Sequence, residues 1–409
     1  MALLRDPTAF LASTRAEVGD TFVLEAFGFE LLFVFSPAGV AGLYRLPESH
    51  ASFAAATRTL IGFKLPDALA SADMGMFHRL FVRERVDAYL AHMRAAVRAD
   101  LTELPAKGEL EIFAHMKQLV HRMAVRCWAG REAASPRWFG RLVRAFDRLD
   151  PEEAFVHPAR MFLTVLTRKA PEKRALAQVQ AILAEIRRER TSAGRREHDL
   201  LESLHEAHAD APASERDARV ARDVVILHLA SQSNLYAALS WTLVNLLVRP
   251  ELLARVRAAE DPTLLDRCAH ESIRAAQRSI TLRKVVQPCE IDDGAATYTV
   301  RPGVFVATML SVNNGAFPGL ESFDPAHYDG ARVAAHVGLP TPEVVSTFGH
   351  HVHACPGRRF AIAAIHTAVT EWLAALELEP RFTSATAKPG QIGAVARAAA
   401  PCVVAFRKR

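Results

Sequence analysis

The sequence predicts a mainly α chain with small β-sheets, and three observations predict it. Apolar residues recur at helical spacing through most of residues 77–278 and again from 358 to 378. Runs that suit strands are confined to short stretches, near 21–35, 290–313 and 380–407. No internal repeat or low-complexity segment interrupts a 409-residue chain that is 50% hydrophobic and 23% charged, so there is ample apolar mass for a core.

Taken in order, Pro7 to Val18 reads as a short helix, and Thr21–Phe27 with Glu30–Phe35 as a β-hairpin around Gly28. Pro37 opens a helix through Leu43. Residues 51–76 mix Gly62, Pro66 and Gly75 with Phe53, Leu60, Phe63 and Leu65, and read as an irregular apolar loop. Helices are expected from Phe77 to Leu101, over 109–129 and over 136–148. Pro151 and Pro158 break the rhythm of 151–170 while Phe155, Met161, Phe162 and Leu166 keep it apolar. That stretch reads as a loop, either plain packing or a mobile lid over a lipophilic pocket.

Pro171 to Arg190 is helical and 191–216 is a polar, charged linker. Arg219 to Val248 is the longest helix candidate, apolar on most faces and so expected to cross the core. Arg249-Pro250 ends it. Glu251–Ala259 and Thr263–Arg278 are two further helices. Strands are expected within Glu290–Asn313, with turns at Asp293-Gly294 and Pro302-Gly303. Residues 314–346 read as a long coil.

Formal charge is +5, from 50 basic against 45 acidic side chains, and no Lys/Arg run is interleaved with aromatics, so nucleic acid is not implied. Cys127, Cys268, Cys289, Cys355 and Cys402 are odd in number, widely spaced and free of any Cys-x-x-Cys pair. They describe neither a disulfide framework nor a zinc site. A reducing compartment, hence a cytoplasmic location, is expected. The first residues carry Arg5, Asp6, Arg15 and Glu17 and lack an apolar signal core. The longest apolar run, Leu31 to Tyr44, contains Pro37 and falls short of a membrane span.

The chemistry concentrates in Thr347 to Ala361, TFGHHVHACPGRRFA. Cys355 stands between a His-rich, Gly-containing loop and the start of a long apolar helix. Amide N–H groups and the helix dipole both favour thiolate at such a junction, and thiolate is the form that binds metal. The segment resembles the haem-binding loop of the cytochrome P450 superfamily at Phe348, Gly349, His353, Cys355 and Gly357. It departs at His351, where a second Gly is usual, and at Pro356, where an apolar residue is commoner. The resemblance implies the cytochrome P450 fold in one domain over residues 1–409, without a membrane anchor, and haem b with Cys355 as the axial thiolate. Such a ligand pushes electron density onto iron and favours O–O cleavage.

Two further segments carry the resemblance. Glu271-Ser272-Ile273-Arg274 places a carboxylate and a guanidinium one turn apart, 84 residues before Cys355. It is similar to the family's Glu-x-x-Arg pair, whose third partner lies in the following coil; here His327 stands where Arg is usual. The implied role is structural. Arg283, nine residues beyond Arg274, and His353 occupy the positions that supply cations to the haem propionates, which suits carboxylates in need of strong donors. Arg79, Arg83 or Arg85 is a candidate for another such contact.

In the long helix, Ala230-Ser231-Gln232-Ser233-Asn234 matches the run that bends over the iron in relatives, where an acid and an alcohol relay protons to dioxygen. Ser233 replaces the acid and Asn234 the Thr. Both still hydrogen-bond, but neither titrates near neutral pH. The run is similar to the branch containing sterol hydroxylases and prostacyclin synthase, which includes both oxygen-inserting enzymes and an isomerase.

The reading that follows is a haem-thiolate monooxygenase acting on a lipophilic small molecule, a sterol, terpenoid or fatty-acid-like compound. Electrons would come from a ferredoxin or a flavoprotein reductase docking near Arg358 and Arg359. Asn234 and Ser233 are the candidate catalytic side chains, and Phe63, Leu227, Ser231, Ile280 and Ile392 the candidate pocket. A peroxide-using or endoperoxide-rearranging haem-thiolate enzyme is the alternative, and a haem sensor without turnover a third possibility.

Overall fold

The computed structural model of the chain describes residues 2–71, 80–150, 158–197 and 199–409. Helix α1 (Pro7–Val18) starts where the Asp6 carboxylate accepts the Ala9 amide and Pro7 pre-sets the first turn. A hairpin of β1 (Thr21–Ala26) and β2 (Phe29–Val34) follows, its two-residue turn formed by Phe27 and Gly28, both at positive φ. Ser36 caps α2 (Pro37–Arg45) through the Gly39 amide. The expected loop at 51–76 instead contains β3 (Ala51–Ser52) and α3 (Phe53–Gly62). The helix forms because Ser52 Oγ accepts the Ala55 amide and the Glu48 carboxylate accepts those of Phe53 and Ala54. These contacts satisfy amides that a helix start leaves open, a device that the apolar pattern does not reveal.

Helix α4 (Arg83–Glu103) leads to strand β4 (Lys107–Glu111), then to α5 (Ile112–Trp128) and α6 (Phe139–Leu149). Residues 109–111, expected to be helical, are strand because a distant strand pairs with them. Pro158 begins α7 (Pro158–Leu166) within the stretch expected to be a loop, and Phe162, Leu163, Val165 and Leu166 are exposed on it. Residues 151–157, the rest of the lid candidate, lie outside the described residues, as do Arg79 and residues 72–78. Helix α8 (Ala170–Ser192) buries Val179, Ile182 and Ile186. The expected linker after it is partly helical: α9 (Leu200–Ala207) buries Leu200, Leu201 and Leu204, and Asp199 accepts from the buried Arg190 at 2.6 Å. Charged composition disguised a packed segment.

The long helix α10 spans Ala213–Leu247, beginning six residues before the sequence pattern does. After α11 (Pro250–Arg257) and α12 (Leu264–Ala276) come β5 (Ile280–Val285), β6 (Cys289–Asp292), β7 (Thr297–Val300) and β8 (Phe305–Met309). The 314–346 stretch is largely coil around a small ladder of β9 (Tyr328–Asp329) and β10 (Arg332–Val333). Helix α13 (Arg358–Ala375), β11 (Leu376–Pro380) and β12 (Val403–Lys408) complete the chain.

Helix α5 packs along α10 and α4, and α13 packs against α4, α10 and α12, so the largest apolar cluster surrounds α10. A five-stranded sheet of order β1-β2-β8-β5-β3 lies beside it, antiparallel except for β2 against β8. A three-stranded sheet places β12 between β11 and β4, and β6 pairs with β7. The mainly α architecture with small sheets is as the sequence predicts. Among the described residues, no helix is long and apolar enough to cross a membrane.

Candidate active site

The Cys355 loop is held by its own backbone. The Cys355 amide donates to Phe348 O at 2.7 Å, and the Gly349 amide donates to Ser346 Oγ at 3.0 Å. Gly349 sits at φ +73°, and a Cβ there would meet His353 O at 2.4 Å, so only glycine closes this turn without displacing the loop. His351, where a second glycine is usual, also takes positive φ (51°). Its Nε2 lies 2.7 Å from Glu343 Oε1, a hydrogen-bond contact that offsets part of the backbone cost.

Cys355 is a free thiol, exposed at its rim though protein crowds around the rest of the side chain. That crowding raises its pKa and outweighs the Gly357 amide and Arg358, which pull it down, so the helix start alone does not hold the sulfur as thiolate, contrary to the expectation from sequence. Gly357 precedes the first turn of α13, so the sulfur faces the positive helix end. His353 is half-buried, with its ring 5.4 Å from Phe53 and its Nε2 lacking any partner. Burial, then Arg283, keeps it below the usual histidine pKa. Arg283 is fully buried on β5. It donates from Nη1 to Leu43 O at 2.9 Å and contacts Glu48 Oε2 at 3.4 Å, while its Nε has no partner. A half-buried imidazole and a buried guanidinium, each with a nitrogen that has no partner, thus stand near one another and near the cysteine loop.

Behind the loop, Glu271 and Arg274 form a two-pronged pair on α12, at 2.7 and 2.6 Å, with both side chains buried. Arg274 also donates to the carbonyls of Asn314, Leu320 and Ser322, fixing the coil. His327 Nδ1 meets Glu271 Oε1 at 3.0 Å, so these three side chains come together. Asn314 extends the network: its side chain donates to Arg274 O and Ser346 O and accepts the Ser346 amide. Since Ser346 Oγ receives the Gly349 amide, a continuous chain of hydrogen bonds runs from Glu271 to the cysteine loop. Phe348 adds an edge-on contact with His270 at 5.6 Å. Asn314, Ser346 and Glu343 were not singled out in the sequence, because nothing in a coil's spacing marks an Asn that replaces a ladder.

On α10, Asn234 Oδ1 accepts the Val395 amide at 3.0 Å, and Trp241 Nε1 donates to Ala396 O. The turn carrying Ile392 is therefore stitched to α10. It also pairs with the end of α12, through Arg278 N to Ala394 O and Gly393 N to Arg278 O, next to Ile280. Ser231 Oγ is turned back onto Leu227 O at 2.7 Å, and Leu227 is buried. Ile280 packs in the apolar cluster of Leu11, Phe33 and Phe35. Phe63 is partly exposed at the end of α3, its ring 6.0 Å edge-on to Phe29. Ser233 parts company with Asn234 and faces α5 and α6.

A soft sulfur at a helix start, with unpartnered guanidinium and imidazole nitrogens close by, is a donor set that fits an iron porphyrin: sulfur for the metal, nitrogen donors for its two carboxylates. The proteins built around such a ligand are the haem-thiolate proteins. A family model described as Cytochrome P450 matches residues 131–401, and the chain belongs to that family, whose cofactor is haem b held through a cysteine thiolate. Among known relatives, Abscisic acid 8'-hydroxylase 3 of Oryza sativa subsp. indica is 28% identical over 225 residues, covering 48% of this chain and 43% of the relative. Abscisic acid 8'-hydroxylase 2 from the same source is 28% identical over 230 residues, with the same coverage. Cytochrome P450 monooxygenase pyr3 of Aspergillus fumigatus is 26% identical over 307 residues, 64% of this chain and 57% of that protein. The chain thus spans about half the length of the relatives it matches.

Proposed function

We propose that the protein is a haem-thiolate monooxygenase that inserts one atom of dioxygen into a lipophilic small molecule. The observation that carries this is the Cys355 thiol at the mouth of a glycine-closed loop, beside the unpartnered donors of His353 and Arg283. Cys355 Sγ would ligate the iron, and His353 Nε2 and Arg283 Nε would hold the carboxylates. When bound, haem supplies the oxygen chemistry. The chain's own residues shape what surrounds it: Glu271, Arg274 and His327 fix the coil behind the loop, and Asn234 ties α10 to the Ile392 turn. Leu227, Ser231, Ile280 and Phe63 complete the proposed pocket.

The substrate class we assign is a sterol, terpenoid or fatty-acid-like compound. The α10 run supports the sterol hydroxylase and prostacyclin synthase branch, and relatives named as hydroxylases of abscisic acid support hydroxylation. Electrons would arrive from a ferredoxin or flavoprotein reductase at the first turn of α13, where Arg359 is exposed. The chain would act as one domain in the cytoplasm. A peroxide-using or rearranging enzyme is the second reading, favoured by a specific observation: residue 233 is not an acid, and the Asn234 carbonyl oxygen is already committed to Val395.

One experiment separates the two. Purified haem-loaded protein is given candidate lipids with dioxygen and a reduced redox protein, and in parallel with hydrogen peroxide alone. Oxygenated product in the first arm supports the monooxygenase. Product confined to the peroxide arm refutes it in favour of the second reading.

A further inference from the structure

Arg278 stands where α12 passes into β5, and its backbone is locked into the turn that carries Ile392. Its amide donates to Ala394 O at 3.0 Å, and its carbonyl accepts the Gly393 amide at 2.9 Å. Val395, the next residue of that turn, gives its amide to Asn234 Oδ1 on α10. Gln277 braces the same junction: its Oε1 accepts the Ser279 hydroxyl at 2.9 Å, and its Nε2 reaches Thr347 O, one residue before Phe348, at 3.5 Å. Ile280, two residues on, packs in the apolar cluster of Leu11, Phe33 and Phe35. Arg278 thus occupies the seam between α10, β5 and the Ile392 turn, three of the walls of the proposed pocket.

The charge in that seam is unanswered. The buried guanidinium groups elsewhere each meet an acid: Arg190 has Asp199 and Glu132, Arg274 has Glu271, and Arg283 touches Glu48. Arg278 makes no ion pair among the described residues, and its side chain forms one hydrogen bond, from Nη1 to Gln277 O at 2.9 Å. Nε is buried without a partner, and Nη2 bonds to nothing among the described residues. The residue is only partly buried, so the outer end of the guanidinium is open to a ligand. The acid that faces it is Asp6, whose carboxylate already accepts the Ala9 amide at the start of α1. Burial lowers the Arg278 pKa more than Asp6 raises it, yet a guanidinium stays charged near neutral pH.

A charge taken out of water without a counter-charge is costly, and the edge left open here is a specific one. Nε and Nη2 carry two parallel N–H bonds, the fork that matches the two oxygens of a carboxylate. A single cation also balances the single charge of such a group. We propose that Arg278 selects the substrate, and that the substrate is a lipophilic carboxylic acid whose carboxylate takes the Nε–Nη2 edge while its hydrocarbon body lies along Ile280, Ile392 and Leu227. The inference rests on the lipophilic-substrate reading and narrows it: of sterol, terpenoid and fatty-acid-like compounds, those that end in a carboxylate are the ones bound.

The test is ligand binding, which needs no turnover. Haem-loaded protein at about pH 7.5, where carboxylic acids are ionised, is titrated with dodecanoic acid, abietic acid and cholanic acid, each beside its methyl ester. Binding is followed by the haem absorption shift and independently by tryptophan fluorescence. At least one acid is expected to bind about tenfold more tightly than its ester, the worth of a hydrogen-bonded charge. Arg278→Gln should erase that ratio by weakening the acid and not the ester, and Arg278→Lys should keep part of it. Asp6→Asn removes the facing charge while keeping an N-cap side chain, and should tighten the acid. A parent that binds none of the acids, or binds each no better than its ester, overturns the proposal. So does an Arg278→Gln protein that keeps the acid preference, or one that loses acid and ester alike, as a merely structural arginine would. Failure to find an oxygenated product would count against the monooxygenase reading and leave these binding ratios standing.

Discussion

Replacing Arg274 by alanine removes five hydrogen bonds, two to Glu271 and three to the carbonyls of Asn314, Leu320 and Ser322. It leaves the Glu271 carboxylate fully buried, with only His327 and the Asp324 amide to answer it. Breaking a buried pair from one side costs about 3–5 kcal/mol, most of it the penalty of the stranded charge. Chemical unfolding followed by far-ultraviolet circular dichroism should show that loss as a lowered midpoint with an unchanged slope. Because the cost lies in the orphaned carboxylate, adding Glu271→Gln to Arg274→Ala should recover part of it. The pair should then show an interaction energy of at least about 1 kcal/mol in a double-mutant cycle. A single variant that loses less than about 1 kcal/mol, or a strictly additive pair, would refute the claim that Glu271 and Arg274 act as one structural unit.

Gly349→Ala must place a methyl group against His353 O at a residue with φ +73°; beyond a backbone cost of about 1–3 kcal/mol, the loop must shift, and the protein should retain far less haem after gel filtration than the parent. Cys355→Ser should abolish the thiolate signature of the reduced carbon monoxide spectrum while leaving the far-ultraviolet spectrum intact; a spectrum identical to the parent's would exclude Cys355 as the ligand. Glu343 has a pKa near 2 in the fold: burial pushes it up, but the Thr341 hydroxyl, His351 and Arg45 outweigh that. Depressed below the ordinary carboxylate value, it contributes stability that is present above about pH 4.5 and is lost as pH falls toward 2. The stability of Glu343→Gln should therefore depend less on pH over that window. Asn234→Ala frees the Val395 amide and should cost about 1 kcal/mol; it should also change the spectral response to lipophilic ligands, whereas an unaltered response would place the Ile392 turn away from the ligand.

The parts of this fold that were legible in the sequence are those whose signals are local. Cys355 stood out because Gly349 and Gly357 bracket it, and the α12 pair because three residues make one helical turn. The helix at 53–62 was hidden because its start depends on Glu48, outside the helix altogether. Residues 109–111 could not be read as strand because their partners lie at 403–405, nearly 300 residues away. The 199–207 segment looked like linker because the acids and arginines of the surrounding 191–216 stretch suggested solvent, although Arg190 and Asp199 are buried against each other. Within the site, the sequence named Glu271, Arg274 and His327 as a group, and the structure brings them together. It grouped Ser233 with Asn234 as neighbours, but a helix turns by roughly 100° per residue, and adjacency in sequence put them on different walls.

The middle strand of the three-stranded sheet is β12, with β4 on one edge and β11 on the other. During synthesis, β4 is made about three hundred residues before the segment that pairs with it, so its edge waits unpaired while most of the chain emerges. Closing that sheet is thus a late event that joins the two ends of the helical core, and contacts so distant in sequence form slowly. Deleting Val403–Lys408 would strip the middle strand, leaving β4 and β11 with no neighbour in common and two open edges on which other chains can build.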